Sequence, residues 1–202
     1  MNFYAVRKGK KPGIYMTWSE CKDQVHGHKG AEFKKFTNKD DALAYIKADN
    51  GMDPGDESLT HPENGQVTAY VDGSYNQKTS EYGYGLVMFS SHGKKTFSGS
   101  FKGVDSSSRN VAGEVMAARK AISLALEDKA KEINIVYDYA GIRHWALGEW
   151  KTNLDLTRDY KDFAQEALKK LKINFIKVKS HTGNKYNDEA DMLAKKACGI
   201  KV

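Results

Sequence analysis

The chain has 202 residues, 40% hydrophobic and 29% charged, with three prolines, two cysteines and a formal net charge of +6. That length holds one large core or two small ones, and no run of eighteen apolar residues occurs, which excludes a membrane-spanning helix. The first ten residues are polar and charged, unlike a secretory signal, so a cytoplasmic protein is expected. Cys21 and Cys198 lie far apart within helical patterns and read as small buried hydrophobes in a reducing compartment.

The charge is unevenly spread. Residues 1–48 carry 10 Lys/Arg against 5 Asp/Glu, residues 49–65 carry five acids and no Lys or Arg, and residues 66–202 carry 22 against 16. Two basic modules joined by an acidic stretch suit a polyanionic partner, although ordinary solubility charge explains the same balance equally well.

In chain order, a strand over Phe3–Val6 leads through the Gly9–Gly13 turn to a strand over Ile14–Thr17. A helix over Trp18–Val25, a Gly27–Gly30 turn and a strand over Phe33–Phe36 follow. A helix from Asp40 to Ala48, with Asn38 as its N-cap and Ala42, Leu43 and Ile46 inward, ends the first module. Asn50-Gly51, Pro54-Gly55 and Asn64-Gly65 punctuate residues 49–65 as a flexible acidic linker. The second module, 66–202, opens with strands at 67–72, 82–90 and 94–102 in an antiparallel meander. Val111, Val115, Ala118, Ile122 and Ala125 then recur at helical spacing over 111–127. A strand at 133–137, helices at 140–147 and 158–170, a strand at 173–178 and a helix at 187–198 complete it. Strands alternating with helices require parallel pairing, so the α/β sheet is expected to be mixed, five-stranded and flanked by helices.

Four acids stand out. Asp72 ends the apolar run Val67–Val71, Asp138 ends Ile133–Tyr137, Glu114 lies at the start of a helical pattern, and Asp191 lies within another. Sites in open sheets gather at the carboxyl ends of strands, so Asp72 and Asp138 fall side by side if their strands are neighbours. Converging carboxylates repel one another unless a divalent ion neutralises them, and magnesium prefers such oxygen ligands. Four of them hold two ions about 3.5–4 Å apart, one activating water and the other stabilising the leaving oxygen of phosphoryl chemistry.

Val71-Asp72-Gly73-Ser74-Tyr75, Asn110-x-x-x-Glu114, Tyr137-Asp138 and Val178-Lys179-Ser180-His181-Thr182-Gly183-x-x-x-Asn187-x-x-Ala190-Asp191 together resemble type 1 ribonuclease H, over roughly residues 66–198. The resemblance implies a ribonuclease H-like fold and two-metal hydrolysis of the RNA strand of RNA–DNA hybrids, leaving 5′-phosphate and 3′-hydroxyl ends. It assigns metal binding to Asp72, Glu114, Asp138 and Asp191, with Mg2+ as cofactor and Mn2+ as an alternative. His181, otherwise a solvated loop residue, takes on proton transfer or product release. Asn110, which also suits a helix cap, takes on contact with the nucleic acid near the cut. Tyr139 stands where many relatives carry Ser. Ser107 and Arg109 replace residues that often form a DNA-phosphate pocket, where Arg109 offers a different charge. The segment after Asp138 lacks the long basic protrusion of some relatives, leaving Trp150 and Lys151 as a reduced handle for the DNA strand; Trp145 is read as core.

The first module resembles the small α/β hybrid-binding domain that precedes such catalytic domains. That likeness places DNA-strand contacts on Trp18, Phe33, Lys34 and Lys35, with Tyr4 beside them. Aromatic faces stack on bases or sugars while lysines neutralise phosphates, and a 48-residue domain cannot bury Tyr4, Trp18 and Phe33 together. Phe3, Val6 and Phe36 are expected in its core. A monomer needing no protein partner is expected. Two other readings remain at this stage, a DNA-directed nuclease of the same superfamily and a non-catalytic hybrid-binding protein.

Overall fold

The computed structural model describes residues 2–37, 39, 42, 46, 57–103, 109–178 and 184–202. The chain divides into two compact units, Met1–Met52 and Asp53–Val202.

In the first unit β1 (Phe3–Lys8) lies between β2 (Gly13–Tyr15) and β3 (Glu32–Phe36), and both pairings are antiparallel. The helix α1 (Trp18–Val25) begins where the sequence predicts and is fixed by a capping box. The Glu20 amide donates to Thr17 Oγ1 at 3.3 Å, and the Thr17 amide donates to Glu20 Oε2 at 3.0 Å. Thr17 therefore belongs to the cap and not to β2, a boundary that Thr17-x-x-Glu20 encodes. Ala5, Val6, Cys21 and Ala42 are fully buried, whereas Phe3 and Phe36 are half-buried, because so small a core has room mainly for small side chains. Of the helix expected over 40–48, Ala42 and Ile46 are described and helical; Asn38 and Leu43 lie outside the described residues.

The second unit is built on five strands ordered β6-β5-β4-β7-β8. β4 (Gln66–Asn76), β5 (Glu81–Ser90) and β6 (Gly93–Phe101) form the expected antiparallel meander, and β7 (Glu132–Tyr137) and β8 (Lys172–Lys177) add in parallel. The helices are α2 (Arg109–Glu127), α3 (Gly141–Ala146), α4 (Asp155–Leu168) and α5 (Lys185–Ala197). Val67, Ala69 and Val71 of β4 pack with Val115, Ala118 and Ile122 of α2 in the main core. The opposite face of β4 carries Tyr70, whose ring meets Tyr186 of α5 at 5.4 Å.

Three boundaries differ from expectation. β4 continues past Asp72 to Asn76, because β5 goes on pairing with it as far as Asn76–Glu81. α4 starts at Asp155, where an acid suits the helix N-terminus and Leu156 packs against the core. Residues 57–60, assigned in the sequence to the linker, form a 3-10 turn in which Leu59 is buried. Pro62 is buried as well. An apolar side chain with cover available nearby gains roughly 1.5–3 kcal/mol from burial, which favours closing this stretch onto the fold. Among the described residues no helix is long and apolar enough to cross a membrane.

Candidate active site

The site forms where β7 stops and β4 continues. The parallel pairing of the two strands ends at Tyr70–Val136, so beyond it β4 has only β5 as a neighbour. Asp72 projects from this one-sided stretch, and Asp138 is the first residue after β7. Asp72 is thus a mid-strand residue, and it is β7, not its own strand, that ends beside it.

Glu114 comes from the first turns of α2, which approaches closely because Gly113 lies against the sheet. A Cβ on Gly113 would sit 2.2 Å from the Gly83 carbonyl oxygen and 2.8 Å from Gly73 Cα. α5 is seated the same way on Gly83 and Gly85, whose added Cβ atoms would each stand 2.0 Å from a helix carbonyl oxygen, that of Ala194 or Ala190. These three glycines position the site, although the sequence reading passed over them. Alternating glycines in Tyr82-Gly83-Tyr84-Gly85 are the signal, since glycine inside a strand marks close backbone approach.

Carboxylate oxygens of Asp72, Glu114 and Asp138 lie within 4.8 Å of one another. Asp72 is 8% exposed and Glu114 7% exposed, while Asp138 is half-buried. Burial, followed by the charge of Asp138, pushes the Asp72 carboxyl up to about 7, although Oδ1 accepts a 2.7 Å hydrogen bond from the Gly73 amide. Burial, followed by the charges of Asp138 and Asp72, pushes Glu114 up to about 9. Among the described residues, Glu114 Oε2 is buried without a hydrogen-bond partner. Clustered, desolvated oxygen donors with an orphaned acceptor among them match the requirements of a hard divalent cation.

Asp191, on α5, is near enough to Asp72 to raise its affinity for protons but does not join the three-carboxylate cluster. Its Oδ2 instead accepts a 2.6 Å bond from the Lys195 ammonium one turn along the helix. His181 lies outside the described residues, as does Ser107. Arg109 and Asn110 open α2, but their side chains are also outside the described set.

Next to the carboxylates, the Tyr139 hydroxyl is held above its ordinary value, by burial and then by Glu114. Its ring meets Trp145 at 5.7 Å, Trp145 meets Trp150 edge-on at 6.0 Å, and Trp150 stacks on His144 at 4.6 Å. Trp145 is buried as expected, whereas Trp150 is 41% exposed. Lys151 lines a cavity of about 290 Å³ with Tyr139, Trp145 and Asn153. Asn153 is a further polar group there that the sequence reading passed over.

In the first unit the Trp18 ring lies 5.9 Å from Tyr4 and 5.5 Å from Phe33, forming a row of three aromatics. Trp18 is 47% exposed and Phe33 42%. Tyr4 pairs with Lys35 across β1 and β3, and the Lys35 ammonium lies 5.9 Å from the Tyr4 ring. Strand alternation puts Lys34 on the other face, where its ammonium is 5.6 Å from Phe36. The structure thus joins Tyr4, Trp18, Phe33 and Lys35 and separates Lys34 from them.

Comparison with known proteins extends these observations. A family model described as RNase H matches residues 64–199, and one described as Ribonuclease H1 N-terminal domain matches residues 2–46. Ribonuclease H1 of Homo sapiens is 28% identical, the match covering 96% of this chain and 88% of that protein. Ribonuclease H of Saccharomyces cerevisiae is 53% identical over 49 residues, covering 24% of this chain and 14% of that protein. The crystal structure of RNase H1 from Halobacterium salinarum superposes with a TM-score of 0.55 at 24% identity, covering 65% of this chain and 96% of that one. A complex of LC11-RNase H1 with an RNA/DNA hybrid gives a TM-score of 0.53 at 16% identity, covering 65% and 96%. These two structures share the fold of the second unit's sheet and helices.

Proposed function

The chain belongs to the ribonuclease H family, and on that footing we propose that it hydrolyses the RNA strand of RNA–DNA hybrids endonucleolytically, leaving 5′-phosphate and 3′-hydroxyl ends. The observation that carries this reading is the convergence of Asp72, Glu114 and Asp138 within 4.8 Å, with Asp191 beside them. Asp72, Glu114, Asp138 and Asp191 hold the metal, two Mg2+ ions in this reading. Bound there, magnesium activates the attacking water and neutralises charge building on the scissile phosphate and leaving oxygen.

The remaining roles belong to the chain. Asn110 and the start of α2 orient the RNA strand, and recognition of its 2′-hydroxyl distinguishes RNA from DNA. His181 relays a proton or speeds release of the cut end. Arg109, Trp150, Lys151 and the adjoining Asn153 grip the DNA strand. Residues 1–48 form a hybrid-binding domain in which Tyr4, Trp18 and Phe33 stack on the DNA strand while Lys34 and Lys35 neutralise phosphates. The acidic stretch after residue 48 is a tether. Joining the two units in one chain keeps a captured hybrid at a raised local concentration for cutting. The protein acts as a monomer in the cytoplasm.

The test is incubation of purified protein with a labelled RNA–DNA hybrid, an RNA duplex and a DNA duplex, in magnesium or in EDTA. Cutting of the RNA of the hybrid alone, and only with metal, is the expected result. Cutting of the DNA duplex would assign the chain to DNA-directed chemistry. Tight hybrid binding without cutting would make it a binding protein.

A further inference from the structure

Among the described residues, Asp191 is the only one of the four acids with a cation already on it. Its Oδ2 accepts from Lys195 Nζ at 2.6 Å, and the pair is partly sheltered, with side-chain exposures of 24% for Asp191 and 35% for Lys195. The other three carboxylates crowd together, and among the described residues Glu114 keeps an unpartnered buried oxygen. The Lys195 charge also reaches Asp72, whose proton affinity it lowers. One ammonium therefore neutralises part of the carboxylate site, and it engages the acid that stands apart from the cluster.

The backbone restricts how Asp191 can be recruited. α5 already rests on the bare backbone of Gly83 and Gly85, with Ala190 and Ala194 carbonyls 2.0 Å from where a Cβ would stand. The helix has no room to move towards the sheet. Asp191 must turn its side chain instead, and a carboxylate that turns towards a second ion gives up at least part of its bond to Lys195.

We propose that Lys195 is a positioning residue that holds Asp191 out of the metal cluster and competes with a divalent ion for it, so that the site fills in order. Asp72, Glu114 and Asp138 take the first ion. The second ion binds only when the Lys195–Asp191 pair opens. This inference rests on the metal-site reading above. Its consequence is a weaker hold on the second ion than four free carboxylates would give, which keeps that ion exchangeable between cuts.

The test is a double-mutant cycle in magnesium affinity, measured by calorimetry on the full chain with Mg2+ alone, so that no turnover enters the readout. Lys195→Met should bind Mg2+ about 3- to 10-fold more tightly, and Lys195→Arg should restore the wild-type value. In the Asp191→Asn background Lys195→Met should change the affinity less than 2-fold, because its effect passes through that carboxylate. An equal gain in both backgrounds would reduce Lys195 to a general positive charge and overturn the proposal, as would weaker binding by Lys195→Met. Should Lys195→Met fail to fold, the wild-type protein still decides the matter. The Lys195 side-chain ammonium signal, followed by NMR during a Mg2+ titration, should move with the second binding event; a signal unmoved through saturation overturns the proposal. If wild type binds no Mg2+ at all, the metal-site reading itself falls.

Discussion

A Cβ on Gly85 would stand 2.0 Å from the carbonyl oxygen of Ala190, the residue before Asp191. The distance at which the fourth acid faces the sheet is therefore set by the absence of a side chain on a neighbouring strand. Gly85→Ala must push α5 outward or bend β5. Overpacking of this kind costs about 1–3 kcal/mol. We expect Gly85→Ala to lower the thermal midpoint and to reduce hybrid cleavage more than loss of folded protein explains. Full cleavage per folded molecule would show that α5 tolerates displacement.

Glu114 illustrates the cost of assembling this site without metal. Its folded-state value, about 9, lies above the ordinary carboxylate range, as does that of Asp72, about 7. A carboxyl with a raised folded value contributes stability that is fully present below its unfolded value and lost as pH rises through the folded value. The metal-free protein should accordingly weaken between about pH 4 and pH 9 on account of these two groups. Glu114→Gln should abolish cleavage yet raise stability in EDTA at pH 8 by on the order of 1–3 kcal/mol. Thermal melts at pH 5.5 and pH 8 check this; a variant less stable than wild type at pH 8 would contradict it.

Raised values at the carboxylate cluster also predict proton release on binding a cation. A cation binds the ionised carboxylates, so Mg2+ binding near pH 7 should expel protons, and the apparent affinity should rise with pH. Calorimetry in two buffers of different ionisation enthalpy measures the number. Identical heats in both buffers would show that the carboxylates are already ionised.

The aromatic row of the first unit should be separable from its core. Trp18→Ala should cost on the order of 1–3 kcal/mol of hybrid affinity if the ring stacks. Stability should change little, because Trp18 is 47% exposed. Lys35→Ala, on the same face, should weaken hybrid binding more than Lys34→Ala. Equal losses would mean that the nucleic acid reaches around both faces of β3. Hybrid binding and circular dichroism of each variant settle these points together.

Glu32 ties β3 to β1 through Arg7 and Lys8, with Arg7 Nε donating at 2.8 Å and Lys8 Nζ at 2.9 Å. Burial works to raise its carboxyl, but the hydrogen bonds and charges of Arg7 and Lys8 outweigh it and hold it below the usual range. The sign is opposite to that of Glu114. Stability from this contact is present above the unfolded value and lost as pH falls through the folded one. Hydrogen exchange at β1 amides should accelerate below about pH 4, and Glu32→Gln should flatten that dependence. An unchanged profile would show that the contact adds nothing.

Much of this was legible in the residues. Apolar spacing located α2, and Val115, Ala118, Ile122 and Ala125 are all buried as the periodicity predicts. Parallel pairing in the sheet followed from strands alternating with helices, but the choice of β7 as the neighbour of β4 did not. The pairing of Asp72 with Asp138 was also legible, because an acid after an apolar strand run has few reasons to be there, and their oxygens do lie within 4.8 Å, together with those of Glu114. The balance between Trp145 and Trp150 came out correctly, the first buried and the second exposed.

Other features depend on where separate segments meet, and no local pattern carries that information. Asp72 looks like a strand end because its apolar run stops, yet β5 supplies hydrogen bonds for four residues more, to Asn76. Lys34 and Lys35 are adjacent in sequence, and the two-residue period of a strand sends them to opposite faces. Leu59 sits in a polar stretch, but a nearby apolar surface claims it. The residue types thus committed the chain to two α/β units and a carboxylate site. Which oxygens converge, which acid stands apart on Lys195, and how closely α5 approaches were decided by tertiary packing, because a 2.0 Å clearance between a strand glycine and a helix carbonyl exists only once both elements are in place.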